Sequence, residues 1–320
     1  MPKKLCIAVL TGGPSSEHKV SVSTGKMVLK FLSRKLYVAR EVRIHKNGQW
    51  QFLPKRKRYS AFMALRELKS NFDVAFIALH GKFGEDGSLQ SLLERNKISF
   101  TGSGIRASKL AMDKCRSDRV FQKAGLLVPK SVVLQKSQKI SKRIAYPVVV
   151  KPVRGGSSIG ISIVHSKKQL QGAMRRAFRE DDEIILQQFV TGRELTCSVL
   201  EQHGKPFVLT PTEIIPKHAD FFDYKAKYQA GGSREITPPH LSNNWIKKVQ
   251  SAALTAHKIF QCRGLSRTDF ILAGESLYVL EINTIPGMTP TSLLPQEAKH
   301  DDYSFTAMLD LIIAAAFRRA

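Results

Sequence analysis

Four polar residues near the C-terminus have the types and spacing of a cation site. Ser266 to Asn283 reads SRTDFILAGESLYVLEIN, two apolar runs flanking Gly274-Glu275-Ser276, the pattern of a β-hairpin. With a turn symmetric about Glu275, Asp269 lies opposite Glu281 and Arg267 opposite Asn283. Strand side chains alternate, so these four groups share one face, and Phe270, Leu272, Tyr278, Leu280 and Ile282 take the other. Two facing carboxylates repel unless a proton or cation lies between them. Asp, Glu and Asn supply the hard oxygens that Mg²⁺ takes, with phosphates and waters completing its shell. The alternative is a solvent-exposed face on which Arg267 neutralises the acids.

A second segment has phosphate-binding chemistry. Arg154-Gly155-Gly156-Ser157-Ser158-Ile159-Gly160 combines glycines, which permit close backbone approach, with small hydroxyls that can donate to phosphate oxygens. Lys151 ends the preceding apolar run, within reach of such a phosphate. The GxxxxGK[ST] pattern of a P-loop is absent, and the loop leads into a strand, which suits a flap over a nucleotide. A plain Gly/Ser hairpin tip is the competing reading.

Two further loops follow strand ends, where open α/β sheets place ligands. One is Gly12-Gly13-Pro14-Ser15-Ser16-Glu17, where Glu17 could favour the helix start electrostatically or bind an ammonium group. The other is His80-Gly81-Lys82-Phe83-Gly84-Glu85-Asp86-Gly87, with a histidine that is either structural or catalytic. Gly102-Ser103-Gly104-Ile105-Arg106-Ala107 fits GxGxxA, but no acid ends a second strand about 20 residues later, so a dinucleotide site is not supported.

The elements that must position these groups fall into three units. Lys4 to Leu10 reads as a strand, Ser16 to Leu32 as a helix, Asp73 to Leu79 as a buried parallel strand, Ser88 to Arg95 as a helix and Ile98 to Thr101 as a strand. That is the βαβ rhythm of an open parallel sheet. Ser108 to Ala124 reads as one helix, Pro147 to Pro152 as a strand, Ile161 to Val164 as its return, Lys167 to Arg179 as a helix and Glu183 to Phe189 as a strand. From Glu194 the pattern is strand-rich, with helices near Ile246 to Phe260 and at the C-terminus. The expected class is α/β, turning α+β after the first hundred residues. Its units are a parallel α/β domain over 1–104, a flap-bearing domain over 105–183 and a metal-site domain over 184–320.

Composition narrows the functional classes. In 320 residues, 42% are hydrophobic and 24% charged, which excludes wholesale disorder. No apolar run approaches the 18 or more residues of a membrane helix. The basic-then-apolar start has too short an apolar run for a signal peptide and reads as the first strand. Four widely spaced cysteines suit neither a zinc site nor a disulfide framework, and fit a reducing cytoplasm. A net charge of +25 favours anionic ligands. The basic residues are dispersed, so nucleic acid is expected only as a weak, salt-sensitive partner.

Taken in order, the motifs resemble the D-alanine–D-alanine ligases of the ATP-grasp superfamily. The resemblance runs through GGPSSEHKVSVSTG, HGKFGEDGSLQSLLE, FTGSG, AMDK, PVVVKPVRGGSSIG, TGREL, FDYKAKY, RTDF and LEINTIPGMTPTSLLP, nearly the whole chain. It implies an ATP-grasp fold that joins two D-alanines at the expense of ATP, through an acylphosphate, for peptidoglycan precursors. It implies Mg²⁺, two ions with Mn²⁺ as a possible substitute, and a cytoplasmic homodimer.

Residue roles follow by the same resemblance. Lys114 and Lys151 correspond to phosphate contacts, Glu194 to a ribose contact, and Lys227 to a further nucleotide contact. Asp269, Glu281 and Asn283 match the metal ligands, as the hairpin register suggests independently. Arg267 and the Gly287 N–H correspond to oxyanion donors. Glu17 corresponds to the residue binding the first ammonium, with Ser157 and Tyr228 as its partners. His80 lies near the first substrate, and Ser292 and Leu293 hold the second carboxylate. The pair Lys227-Tyr228 implies an amine as second substrate rather than a hydroxy acid, with D-lactate and D-serine as alternatives. Gln187 stands where the family commonly has a Glu facing the adenine amino group. Gln188 replaces a commonly basic neighbour, and Gly155 replaces a common Glu in the flap. A basic binding protein that kept the fold and lost activity has no need of the paired carboxylates.

Overall fold

The computed structural model describes residues 3–138, 144–156, 159–216, 232–289 and 291–317. Strands β1 (Leu5–Gly12), β2 (Tyr37–Ile44), β3 (Trp50–Phe52), β4 (Arg58–Tyr59) and β5 (Val74–Ile77) form the first sheet, ordered β4-β3-β2-β1-β5. β1 pairs in parallel with β2 and with β5. β1 and β5 are largely apolar runs because both faces of a parallel sheet are covered. Helix α1 (His18–Phe31) lies so close to β1 that a Cβ on Gly25 would strike the Thr11 side chain. Helices α2 (Ala61–Asn71) and α3 (Ser88–Arg95) complete the local connections. Residues 98–101 contribute a single bridge, Phe100 to Ala75, beside β5 in place of the expected strand.

The expected helix over 108–124 is two helices, α4 (Ile105–Met112) and α5 (Lys114–Lys123). Asp113 breaks it: its backbone is extended and its carboxylate caps α5 by accepting from Arg116 N at 3.0 Å. The apolar sides of both helices pack on the core of the third sheet, where the Phe121 and Phe260 rings lie 4.9 Å apart, while the start of α5 bonds to Val153 and Gly155 of the central unit.

The second sheet is antiparallel: β6 (Ser131–Gln135), β7 (Val148–Pro152), β8 (Ser162–Val164) and β9 (Glu183–Gln188), ordered β6-β9-β7-β8 and backed by α6 (Lys167–Ala177). β9 is paired on both edges, with β6 and β7. The expected boundary at 183/184 therefore moves past Gln188, because cutting before β9 would split this sheet.

The third sheet holds β10 (Arg193–Gln202), β11 (Lys205–Val208), β12 (Thr212–Pro216), β13 (Ser233–Ile236), β14 (Leu265–Ala273) and β15 (Ser276–Asn283), in the order β13-β12-β10-β14-β15 with β11 on β10. Helix α7 (Asn243–Ile259) covers its apolar face, and α8 (Leu293–His300) follows the hairpin. The last helix, α9 (Phe305–Ala316), returns to the first core through Met308, Leu309, Ile312 and Ile313. The Phe31 and Phe305 rings lie 4.9 Å apart there.

Candidate active site

The β14–β15 hairpin has the predicted pairs with a different turn. Arg267 pairs with Asn283 and Asp269 with Glu281. The turn is tighter than expected, with Ala273 opposite Ser276. A bulge between Asp269 and Phe270 restores the register. The bulge also reassigns the apolar face. Val279 and Leu277 pack in the core, whereas Leu280, expected there, lines a cleft beside Glu281.

That cleft lies between the second and third sheets. Its walls include Val149, Ile161, Ile163, Phe189, Ile271 and Leu280, a slot suited to a flat ring. Lys114, Lys151, Gln187, Glu194, Asp269 and Glu281 add its charges and polar groups. Lys151 ends β7 and is buried. Burial pulls its pKa down to about 8, with the charge of Lys114 adding to the fall. Lys114 opens α5, and its ammonium donates to Gly155 O at 2.6 Å, tying α5 to the root of the flap. Asp118, one turn further on, is also buried. Burial raises its carboxyl to about 6 although both lysines pull the other way. Gln187 is 3% exposed, and its Nε2 has no hydrogen-bond partner among the described residues.

A second pocket begins where the first ends, and Glu281 lines both. It gathers Glu17, His80, Glu85, Gly156, Glu235, Arg267, Asn283, Gly287, Ser292 and Leu293 from three parts of the chain. Glu17 precedes α1 and makes no side-chain cap bond. A Cβ on flap residue Gly156 would lie 3.2 Å from Glu17 Oε2, so the flap root closes over this carboxylate. His80 is buried, its Nε2 2.9 Å from Thr24 Oγ1. Burial lowers its pKa to about 4, so the ring is neutral at pH 7, and it also donates to the Ile285 carbonyl. Ser292 stands at the N-cap position of α8 without a side-chain cap bond, and its Oγ accepts from Thr289 N at 3.0 Å. A Cβ on Gly287 would lie 2.8 Å from that oxygen, so the backbone passes tightly over the helix start.

Arg267 donates from Nε and Nη2 to the two Asp269 oxygens, both at 2.8 Å. Thr196 Oγ1 donates to Asp269 Oδ1 at 2.7 Å and Asn283 Nδ2 to Oδ2 at 3.2 Å. The solvent-exposed alternative for this face fails, since Asp269 is 7% exposed. Among the described residues no three His, Cys, Asp or Glu side chains are grouped to hold a metal by themselves. Asp269, Glu281 and Asn283 together offer oxygens of the kind that a hard divalent cation takes.

Of the expected site residues, Ser157, Lys227 and Tyr228 lie outside the described residues. The others fall in one or both pockets. Sequence reasoning passed over Glu85, Glu235, Thr196 and Glu297. Glu85 lies inside a recognised motif, and its position is signal enough: it accepts from Gly81 N at 2.6 Å, and burial with the charge of Glu17 raises its pKa. Glu297 lies behind Arg267 on α8, fully buried, and accepts from Ser198 N at 2.8 Å. Thr196 faces Asp269 only through the β10–β14 register, which no local pattern encodes.

Two sheets closing on an apolar slot, with a lysine pair and paired carboxylates at its polar end, define an ATP-grasp enzyme. Residues 6–103 match the family model described as D-ala D-ala ligase N-terminus, and residues 120–314 the one described as D-ala D-ala ligase C-terminus. The chain belongs to the D-alanine–D-alanine ligase family. It is 40% identical to the D-alanine–D-alanine ligase of Syntrophobacter fumaroxidans, over 98% of each chain. It is 39% identical to that of Syntrophotalea carbinolica, over 98% of this chain and 96% of the relative. The crystal structure of the Bacillus anthracis D-alanine–D-alanine ligase complexed with ATP superposes with a TM-score of 0.81 at 30% identity, over 98% of both chains. The VanG D-Ala:D-Ser ligase of Enterococcus faecalis gives 0.84 at 31%, over 98% of this chain and all of that one.

Proposed function

We propose that this protein joins two D-alanines with ATP, giving D-alanyl-D-alanine, ADP and phosphate for peptidoglycan precursors. The observation that carries this reading is the meeting of an apolar nucleotide slot and a carboxylate-rich pocket at Glu281, beside Arg267.

In the slot, Gln187 meets the base, Glu194 the ribose, and Lys114 and Lys151 the phosphates, with Lys227 a further nucleotide contact. The first D-alanine lies with its ammonium on Glu17, beside neutral His80, with Ser157 and Tyr228 as the partners of Glu17. Its carboxylate oxygen attacks the γ-phosphorus. The new O–P bond replaces the bond to the β-phosphate, and ADP leaves an acylphosphate. The second amine then attacks the acyl carbon, held by its own carboxylate on Ser292, Leu293 and the start of α8. Arg267 and the Gly287 N–H donate to the tetrahedral oxyanion, and phosphate leaves as it collapses. Arg267 spends two of its five N–H donors on Asp269, which leaves donors for this task.

Asp269, Glu281 and Asn283 would hold Mg²⁺, as two ions or with Mn²⁺ in its place. When bound, the metal neutralises charge on the transferring phosphoryl group. A cytoplasmic location and a homodimer belong to the same reading. The +25 charge implies weak nucleic-acid affinity that falls steeply with salt.

The test is phosphate release with ATP and Mg²⁺ in the presence of D-alanine, L-alanine, or D-alanine with D-lactate or D-serine, the products weighed by mass spectrometry. Release with D-alanine alone, giving the dipeptide mass, supports the reading. Release only with a second acid moves the function to that product. No release from folded protein that binds ATP sinks the reading.

A further inference from the structure

The densest basic run in the chain, Lys55-Arg56-Lys57-Arg58, has no part in the steps above. It leads from β3 into β4, and Ser60 then caps α2 by accepting from Met63 N at 3.4 Å. β4 is the outer strand of the first sheet, whereas the site loops follow β1 and β5, three or more strand spacings away, roughly 14 Å.

Helix α2 has two unlike sides. Ala64, Leu65 and Leu68 are buried in the first core. Phe62, Met63, Arg66 and Lys69 face out, and Phe62, at 68% exposed, is the most exposed large hydrophobic residue described. The Arg66 guanidinium lies 5.9 Å from the centre of the Phe62 ring, and the Lys57 ammonium 5.4 Å from that of Tyr59. Residues 55–70 hold six cations and one carboxylate, Glu67. Among the described residues none of the six is in an ion pair. Arg58 Nη1 donates to Gln49 Oε1 at 3.4 Å, a neutral partner that leaves its charge uncompensated.

Unpaired cations beside exposed apolar side chains call for a partner that is anionic at its surface and apolar just beneath. A second copy of this chain fails that requirement, because a symmetric contact sets the cations against themselves. A duplex nucleic acid meets the charge but keeps its apolar surface stacked inside. An anionic bilayer meets both, with phosphate headgroups outside and acyl chains below.

We propose that residues 55–58 and the outer side of α2 dock on an anionic lipid bilayer, with Phe62 and Met63 entering the acyl boundary and the six cations at the headgroups. Lysine and arginine stems lie along such a boundary while their charges stay in water. None of these residues lines either pocket, so docking and catalysis use separate surfaces.

The experiment is flotation of the full-length protein with vesicles of phosphatidylcholine, alone or with about 30% phosphatidylglycerol, from about 50 to about 500 mM salt. Wild type should bind the anionic vesicles at least about tenfold more tightly than the neutral ones, and weaken as salt is added. Changing Lys55, Arg56, Lys57 and Arg58 together to Gln should cost about tenfold or more. Phe62→Gln with Met63→Gln should also cost roughly tenfold, since two apolar side chains no longer leave water. Changing Lys167, Lys168, Arg175 and Arg179, exposed on and just after α6, to Gln removes the same charge from another face and should cost less than about threefold. All these side chains are exposed, so each variant should melt within about five degrees of wild type. Equal binding to neutral vesicles, equal losses in the two four-residue variants, or vesicle binding unmoved by Phe62→Gln with Met63→Gln would overturn the assignment. So would tighter binding to a mixed-sequence RNA than to the anionic vesicles, which would make the surface a nucleic-acid one. A protein that ignores the vesicles, and shifts from dimer to monomer in Phe62→Gln with Met63→Gln, would assign the patch to a second copy instead.

Discussion

The Arg267 guanidinium holds Asp269 with two bonds of 2.8 Å although the residues are only two positions apart on β14. The proposed oxyanion donor and the proposed metal carboxylate are thus one unit, braced by Thr196 and Asn283. Removing either residue disturbs the other, because a buried carboxylate left without its cation carries the desolvation cost alone.

Arg267→Ala should lower kcat by about two to three orders of magnitude, as loss of an oxyanion donor does. With Asp269→Asn the combined loss should be smaller than the product of the single losses, because the two residues act together. Steady-state kinetics of the double-mutant cycle measures this, and turnover within tenfold of wild type in Arg267→Ala would remove it from the mechanism.

Glu281→Gln should move the Mg²⁺ titration of activity to roughly tenfold higher concentration or beyond, since an anionic oxygen becomes a neutral one. An unchanged midpoint would mean that the hairpin face is not the metal site.

Lys151 is held near pKa 8 by burial, below its ordinary 10.5. The unfolded chain binds more protons between those values, so stability rises with pH across that window. At pH 7 the buried charge costs stability in full. Lys151→Met should raise stability by about 1–2 kcal/mol and weaken ATP binding at least tenfold. Wild-type ATP affinity should fall as pH rises through about 8, and the variant should lack that inflection. Calorimetric melts and ATP titrations across pH check both halves.

Gln187 presents to the slot a buried amide nitrogen that has no hydrogen-bond partner among the described residues. An amide can donate or accept, whereas a carboxylate only accepts. Wild type should bind ATP and its 6-oxo analogue ITP within about tenfold of each other, and Gln187→Glu should turn against ITP by about a further tenfold. Competition binding reads this, and strong wild-type exclusion of ITP would show that Gln187 does not read that edge.

Glu297 is buried and its carboxyl is raised to about 8. A raised carboxyl favours folding below its unfolded pKa, and that benefit is lost as pH rises through about 8. Glu297→Gln should match wild type in Tm near pH 5 and exceed it near pH 9. Parallel melting curves at the two pH values would contradict this.

Local chemistry alone determined much of this protein. The alternation of SRTDFILAGESLYVLEIN gave the partners Asp269–Glu281 and Arg267–Asn283, because a strand's period of two leaves little freedom in which face a side chain takes. The apolar run before His80 read as a buried parallel strand for a similar reason: both of its faces must be covered. Tertiary structure decided what depends on packing between distant segments. The bulge at Asp269 put Leu280 into the cleft, and the capping of α5 by Asp113 put Lys114 against Gly155. The pairing of β9 on both edges carried Gln187 into the middle sheet, and α9 returned to cover the first. Glu85 and Glu235 came to one pocket, and Glu297 to the Ser198 N–H, only when segments far apart in sequence packed together. Burial and neighbouring charge, which shift a side chain's chemistry, are set by three-dimensional neighbours that spacing along the chain does not specify.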